Sequence, residues 1–238
     1  MANTTRPATP AGGLCVAVAA PDEEAVLRLV LPLLSQVDVV EVRLDAMRRP
    51  EVARLRSAIR RPLLCTNRPC WEGGAFAGSE TERLVPLHQA AACGADYVDL
   101  ELRAAPELRR ELLATLASTP SRMIVSWHDF DSTPTAVALA DILDRQADSG
   151  AHIGKIVTMA HAPADVRRVL ALLELAEQRR FPLIAFCMGA AGRVSRVATL
   201  ALGGFMTYAA PDGAAGTAPG QLSVSQLRGM LRTLEGRA

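Results

Sequence analysis

Apolar and polar residues run along this chain in two alternating rhythms. Short runs rich in Val, Ile and Leu are followed by longer stretches whose apolar positions recur at i, i+3, i+4 and i+7, the spacing of a helix that packs one face on a sheet. The pattern predicts eight strands: 14–19, 37–44, 63–66, 97–102, 122–127, 153–159, 183–188 and 205–208. A helix is expected after each one. Four helix faces are the clearest: Val26/Leu29/Val30/Leu33, Val166/Val169/Leu170/Leu173, Val194/Val197/Ala198/Ala201 and Leu227/Met230/Leu231/Leu234. Asp22, Thr133-Pro134 and Ala162-Pro163 stand near helix starts, and Ser223 is placed to cap the last helix. Eight such units in 238 residues fit an α/β fold of the (β/α)8 TIM-barrel type in a single domain over residues 13–238. Residues 1–12, rich in Thr, Pro, Ala and Gly, read as a disordered tail. An open doubly wound sheet is the alternative, but Ala19-Ala20-Pro21-Asp22 after the first strand is not a phosphate-binding glycine loop.

Within the strands the polarity is unusual for a barrel. In the second, Val40, Val42 and Leu44 share one face, and Glu41, Arg43 and Asp45 share the other. Only the apolar set suits the helical ring, so the charged set should point inward. The fourth strand repeats this, with Val98, Leu100 and Leu102 outward and Asp99, Glu101 and Arg103 inward. A buried ion-pair network accounts for Asp45, Asp99 and Glu101 without any chemistry. Lys155 is harder to dismiss, because it interrupts the apolar run Ile153-Gly154-Lys155-Ile156-Val157. A desolvated amine can be held partly neutral by burial and by nearby arginines, and a neutral amine attacks a ketone to form a Schiff base. A lysine paired with a carboxylate is the plain alternative. His128, in step with Ser126, should face inward near the end of its strand and could move protons beside such an imine. Arg68, His128, Lys155 and Met188 all fall toward the C-terminal ends of strands, where barrel active sites lie.

Composition narrows the setting. Half the residues are apolar and the formal net charge is +1, so no basic field argues for nucleic acid or an anionic membrane. A small-molecule partner is expected. No stretch reads as a signal peptide or a membrane span. Five scattered cysteines suit reduced cytoplasm, and Cys65 and Cys70 read as small core fillers, with no metal site expected.

Taken in order, several short motifs are similar to those of the type I 3-dehydroquinate dehydratases, a Schiff-base (β/α)8 family of the shikimate pathway. They are Glu41-Val42-Arg43-Leu44-Asp45, Thr66-Asn67-Arg68 with Glu72-Gly73-Gly74, Asp99-Leu100-Glu101, Ser126-Trp127-His128-Asp129-Phe130 and Lys155-Ile156. Met188, Gly192-Arg193-Val194-Ser195-Arg196 and Ala218-Pro219-Gly220-Gln221 complete the set, which spans nearly the whole chain.

The resemblance implies that Lys155 forms an imine with the ring ketone of 3-dehydroquinate, that His128 acts as general base and acid, and that Glu72 orients it. It further implies that Arg196 clamps the substrate carboxylate, and that Glu41, Arg43 and Arg68 meet ring hydroxyls. A closing loop over 211–220 would bring Thr217 and Gln221 to the substrate. No cofactor is implied, and a cytoplasmic homodimer is. Ala17, Asn67 and Thr217 depart from the family's usual residues and bear on affinity rather than on the reaction. Two other readings are a class I aldolase using the same lysine and a catalytically silent barrel that binds a metabolite. The aldolase would need a phosphate nest, for which Gly203-Gly204, just before the eighth strand, is a poor candidate.

Overall fold

The computed structural model describes residues 12–234 and 236; apart from Gly12, the tail expected over residues 1–12 lies outside them. Its first half runs β1 (Gly13–Val18), α1 (Glu23–Val30), β2 (Val39–Arg43), α2 (Val52–Ala58), β3 (Leu63–Thr66), α3 (Glu80–Ala92), β4 (Tyr97–Glu101) and α4 (Pro106–Leu116). The second half runs β5 (Arg122–Asp129), α5 (Ala136–Ala147), β6 (Ile153–Met159), α6 (Pro163–Leu170), α7 (Leu172–Gln178), β7 (Leu183–Met188), α8 (Gly189–Gly192), α9 (Ser195–Ala201), β8 (Met206–Ala209) and α10 (Val224–Leu234). All ladders are parallel, in the order β7-β6-β5-β4-β3-β2-β1-β8. At the remaining seam the Phe205 N–H donates to the Leu183 carbonyl at 2.8 Å, so the sheet comes nearly full circle. This is the expected (β/α)8 barrel.

Strand alternation sorts the side chains as the sequence pattern requires. Val40, Val42, Leu63, Cys65, Val98 and Leu100 face α1 to α4, while Val125, Trp127, Ile156, Ala185 and Cys187 face α5 to α7. The interior has two levels. Cys15, Val39, Leu64, Tyr97, Ile124, Ile153, Ile184 and Met206 fill its lower part with apolar groups. One pleat further along, Glu41, Thr66, Asp99, Ser126 and Lys155 replace them, all buried.

Helix ends follow ordinary capping chemistry. The Asp22 carboxylate accepts from the Ala25 N–H at 2.9 Å, and Ser79 and Glu82 form a reciprocal capping box on α3. Ser223 accepts from the Gln226 N–H at 3.3 Å at the start of α10, as expected.

Three expectations need correction. The apolar stripe Val194/Val197/Ala198/Ala201 does not define the buried face of α9: Val194 is 62% exposed, whereas Ser195, Arg196 and Thr199 are buried. The Ser195 hydroxyl accepts from the Cys187 N–H at 2.8 Å and donates to the Gly192 carbonyl at 2.5 Å, turning the polar face toward β7. Arg103 does not point inward either. It lies beyond the end of β4, exposed, with its guanidinium 5.3 Å from the Trp127 ring centroid. Cys65 is buried as a core filler, but Cys70 is exposed in the loop after β3.

A charged core side chain that the sequence pattern hid is Arg83 on α3, fully buried. It donates to Glu101 Oε2 at 2.5 Å, to Glu80 Oε2 at 2.7 Å and to the Asn67 carbonyl at 3.2 Å, and Asn67 Nδ2 returns a bond to the Arg83 carbonyl at 2.8 Å. Asn67 therefore ties β3 to α3. Removing one partner of a buried pair strands the other charge, so Arg83→Met is expected to lower unfolding free energy by about 3–5 kcal/mol in urea titration.

Candidate active site

The polar interior level is organised by Arg68, which leaves the end of β3 and turns back into the barrel. Its Nη1 donates to Glu101 Oε1 and Ser126 Oγ, each at 2.6 Å, and its Nη2 donates to Asp99 Oδ1 at 2.8 Å. Nη1 also lies 3.6 Å from Glu72 Oε1. These carboxylates raise the guanidinium's proton affinity against the effect of burial. Asp45 holds the backbone of the same loop. It accepts from the Arg68 N–H and the Ala75 N–H, each at 3.0 Å, and forms a bidentate pair with Arg43 at 2.8 and 2.7 Å.

The loop after β3 then delivers Glu72. The Phe76 N–H donates to the Arg68 carbonyl at 3.1 Å and the Gly74 N–H to the Pro69 carbonyl at 2.9 Å, folding the segment tightly on itself. A Cβ at Gly74 would sit 2.0 Å from the Arg68 carbonyl oxygen, so the turn tolerates no side chain there. Glu72 ends buried, with Oε1 2.8 Å from His128 Nδ1. The imidazole therefore presents Nε2 to the cavity.

Both groups of this pair are displaced from their ordinary protonation. Burial, and then the charges of Arg68, Lys155 and Arg43, push His128 far below the usual imidazole range, leaving the resting ring neutral. Burial pushes Glu72 up to about 8 against the opposing pull of Arg68. The two share protons as a unit.

Lys155 rises from the middle of β6. Its Nζ lies 3.6 Å from Glu41 Oε1, 3.5 Å from Asp99 Oδ2 and 4.2 Å from the centroid of the Tyr208 ring. The groups closest to the amine are thus two carboxylates and an aromatic face, not the arginines that the sequence suggested. Glu41 is fixed in turn by a 2.7 Å bond from the Thr66 hydroxyl.

Arg196, on α9 beside β7 and β8, is buried under different conditions. It is 1% exposed and has no carboxylate partner; its two bonds, to the Tyr208 and Pro219 carbonyls, are 3.4 Å long, and its Nε has none. Desolvation brings its pKa down to about 10. Phe186 lies 4.7 Å below the guanidinium. A buried cation left this way has donors free for a further acceptor.

The segment over 211–220 contributes Thr217 and Ala218 to the cavity wall. Gly220, at φ +72°, packs so near Gly189 that a Cβ would lie 2.5 Å from its carbonyl oxygen. The Thr217 N–H donates to Gln221 Oε1 at 2.8 Å, and Ala218 packs on the interior apolar cluster.

Glu41, Arg43, Arg68, Glu72, His128, Lys155, Arg196, Thr217 and Gln221 all line one cavity that opens to solvent. Phe130, Val157, Phe186, Met188 and Tyr208 supply its apolar surface. Of these only Met188 stood out in the sequence; an aromatic residue on a strand reads as ordinary core. Among the described residues no group of three or more His, Cys, Asp or Glu could hold a metal ion, and no helix is long and apolar enough to cross a membrane.

Comparison with known proteins gives a consistent result. Residues 14–238 match the model of the type I 3-dehydroquinase family. The 3-dehydroquinate dehydratase of Desulfotalea psychrophila is 47% identical over 217 residues, 91% of this chain and 96% of that one. Among solved structures, the 3-dehydroquinate dehydratase of Geobacillus kaustophilus superposes with a TM-score of 0.83 at 29% identity, covering 95% of this chain and 92% of that one. The type I enzyme of Clostridium difficile, with covalent modified comenic acid, gives 0.85 at 26% identity, covering 95% and 93%.

The contrast between the two buried arginines is testable. Because Arg196 lacks an anionic partner, Arg196→Met is expected to leave the thermal midpoint unchanged or raised, opposite to Arg83→Met. A melt in which the two variants lose stability equally would contradict the assignment of an uncompensated charge.

Proposed function

The chain belongs to the type I 3-dehydroquinase family, and from that premise we propose that it converts 3-dehydroquinate to 3-dehydroshikimate through an imine on Lys155. The observation that carries this reading is the meeting of three groups in one cavity: a primary amine, a neutral imidazole backed by the Glu72 carboxyl group, and a guanidinium with no anionic partner among the described residues. A reaction that needs an electron sink, a proton carrier and a carboxylate anchor uses all three.

The steps follow from the chemistry of these groups. The Lys155 nitrogen, having given up one proton, attacks the ketone carbon as a free amine; the ketone oxygen then leaves as water with that proton and one more hydrogen from the nitrogen, and the C=N bond remains as a protonated imine. His128 Nε2 then takes a proton from the adjacent carbon, and the C–H electrons move into the imine to give an enamine. Those electrons return to expel the hydroxyl on the next carbon, to which the imidazolium gives its proton. Water hydrolyses the conjugated imine and frees the lysine, so one water is lost overall. Glu72 supports the imidazolium between the two proton transfers.

Arg196 is the proposed seat of the substrate carboxylate, and Glu41, Arg43, Thr217 and Gln221 supply polar contacts around the ring. Arg68 lines the cavity too, but its terminal nitrogens already serve Asp99, Glu101 and Ser126, and its main contribution is to hold those groups. Closure of the 211–220 segment over the bound substrate would keep water from the reacting carbons. On family grounds the same reading extends to the shikimate pathway, a cytoplasmic setting and a homodimer. No metal or organic cofactor enters these steps. The alternatives of an aldolase or a silent metabolite-binding barrel have less support, since the family match runs over nearly the whole chain.

Two outcomes are expected. Borohydride added to protein and 3-dehydroquinate should leave a reduced adduct on the peptide carrying Lys155, read by mass spectrometry; an unmodified peptide would overturn the imine. Below about 8 the Glu72–His128 pair holds an additional proton that occupies Nε2 in either tautomer, so kcat/KM should rise with pH through a limb near that value. In Glu72→Gln the limb should disappear along with most of the rate. A limb at the same pH in that variant would contradict the coupling.

A further inference from the structure

The family reading gives no task to Asp99, yet its carboxylate is divided in an unusual way. Oδ1 accepts from Arg68 Nη2 at 2.8 Å and from Ser126 Oγ at 2.6 Å. Oδ2 has no hydrogen-bond partner, although the residue is completely buried. The ionic group it faces is Lys155, with Nζ 3.5 Å away. An anionic oxygen sealed from water with no donor is costly to keep, so this arrangement calls for a donor at the lysine nitrogen. Burial favours the neutral acid, but the charges of Arg68 and Lys155 and the bonds from Ser126 and Arg68 prevail and hold the carboxyl below its ordinary range.

Glu41 is the competing carboxylate, and it is placed differently. Its Oε1 is already bonded by Thr66, it stands 3.6 Å from Nζ, and it lines the cavity where the ring hydroxyls would lie. Asp99 does not line the cavity; it stands behind the lysine.

We propose that Asp99 is the counter-ion of the Lys155 imine, its Oδ2 accepting the single N–H that the nitrogen keeps after condensation. The inference rests on the dehydratase reading. In the protonated imine the nitrogen is bonded to the substrate carbon and to the lysine Cε, and carries one hydrogen and the positive charge. An acceptor behind it fixes the plane of the C=N bond, because that N–H has to point at Oδ2. The same plane determines which adjacent C–H aligns with the imine and can be taken by His128. Asp99 is therefore a positioning residue that acts through Lys155. Arg68 and Ser126, by holding Oδ1, keep Oδ2 aimed at the nitrogen.

Asp99→Asn tests this with minimal change of shape: Oδ1 still accepts from Arg68 and Ser126, while the amide NH2 meets the lysine with donors. The expected result is a fall of about 100-fold in kcat and in the rate of borohydride-trapped adduct formation with 3-dehydroquinate. Affinity for quinate, which has no ketone to condense, should stay within about 3-fold of the parent, since Asp99 does not line the cavity. Adduct formation at the parental rate would overturn the proposal, as would equal losses of quinate affinity and trapping, the mark of a purely structural role. If Asp99→Asn does not fold, Glu41→Gln decides. Its KM is expected to rise while trapping on Lys155 persists, and abolished trapping there would assign the counter-ion to Glu41 instead. Absence of an adduct in the parent protein would defeat the dehydratase reading itself, a result distinct from parent and Asp99→Asn trapping alike.

Discussion

The bonding of one buried guanidinium, that of Arg68, sets the geometry of the rest. Its donors link β4 through Asp99 and Glu101 to β5 through Ser126, and its backbone N–H is held by Asp45 at the end of β2. Glu101 passes the network outward to Arg83 on α3. Three successive barrel units thereby meet at one planar group whose fork of donors has little freedom once filled, and the β2 unit is tied to the backbone of the same residue. The loop carrying Glu72 grows from this residue, and Asp99 and Ser126 flank the lysine. Placement of the proton-transfer pair and placement of the amine are thus two consequences of one set of bonds.

The site uses buried charge in two opposite ways. Arg68 and Arg83 are surrounded by carboxylates, and their desolvation is offset within the protein. Arg196 is equally buried but is left with long contacts to two carbonyls, so its desolvation is not offset by a carboxylate among the described residues. Stability and binding therefore pull apart along this wall of the barrel. His128 shows the same tension, being kept neutral by burial and by surrounding positive charge although the Glu72 carboxyl group lies 2.8 Å from its Nδ1.

Much of this was legible in the sequence because strand alternation is a strict rule. Glu41 and Asp99 had to point away from the helices once Val40, Val42, Val98 and Leu100 were assigned to them, and His128 followed Ser126 inward. The rule stops where the strand stops, which is why Arg103, past the last residue of β4, was misassigned. Helical periodicity failed at α9 for another reason. Ser195 buries its own face by bonding the β7 backbone, and a hydroxyl satisfied in that way leaves no apolar signature. Arg83 was invisible for a related reason: beside the helical neighbour Glu80, its acceptors are Glu101 on β4 and the Asn67 carbonyl just past β3, both remote in sequence. The family motifs supplied the roles of Glu72 and Arg196, which pattern alone left as an exposed loop carboxylate and a helix-surface arginine.

The central claim, that this cavity dehydrates 3-dehydroquinate with Lys155 as its nucleophile, is tested most directly by mixing the protein with that substrate and following the ultraviolet absorbance of the conjugated enone. The account predicts enone formation with the parent protein and none with Lys155→Ala. Silence in both, or equal rates in both, would contradict it.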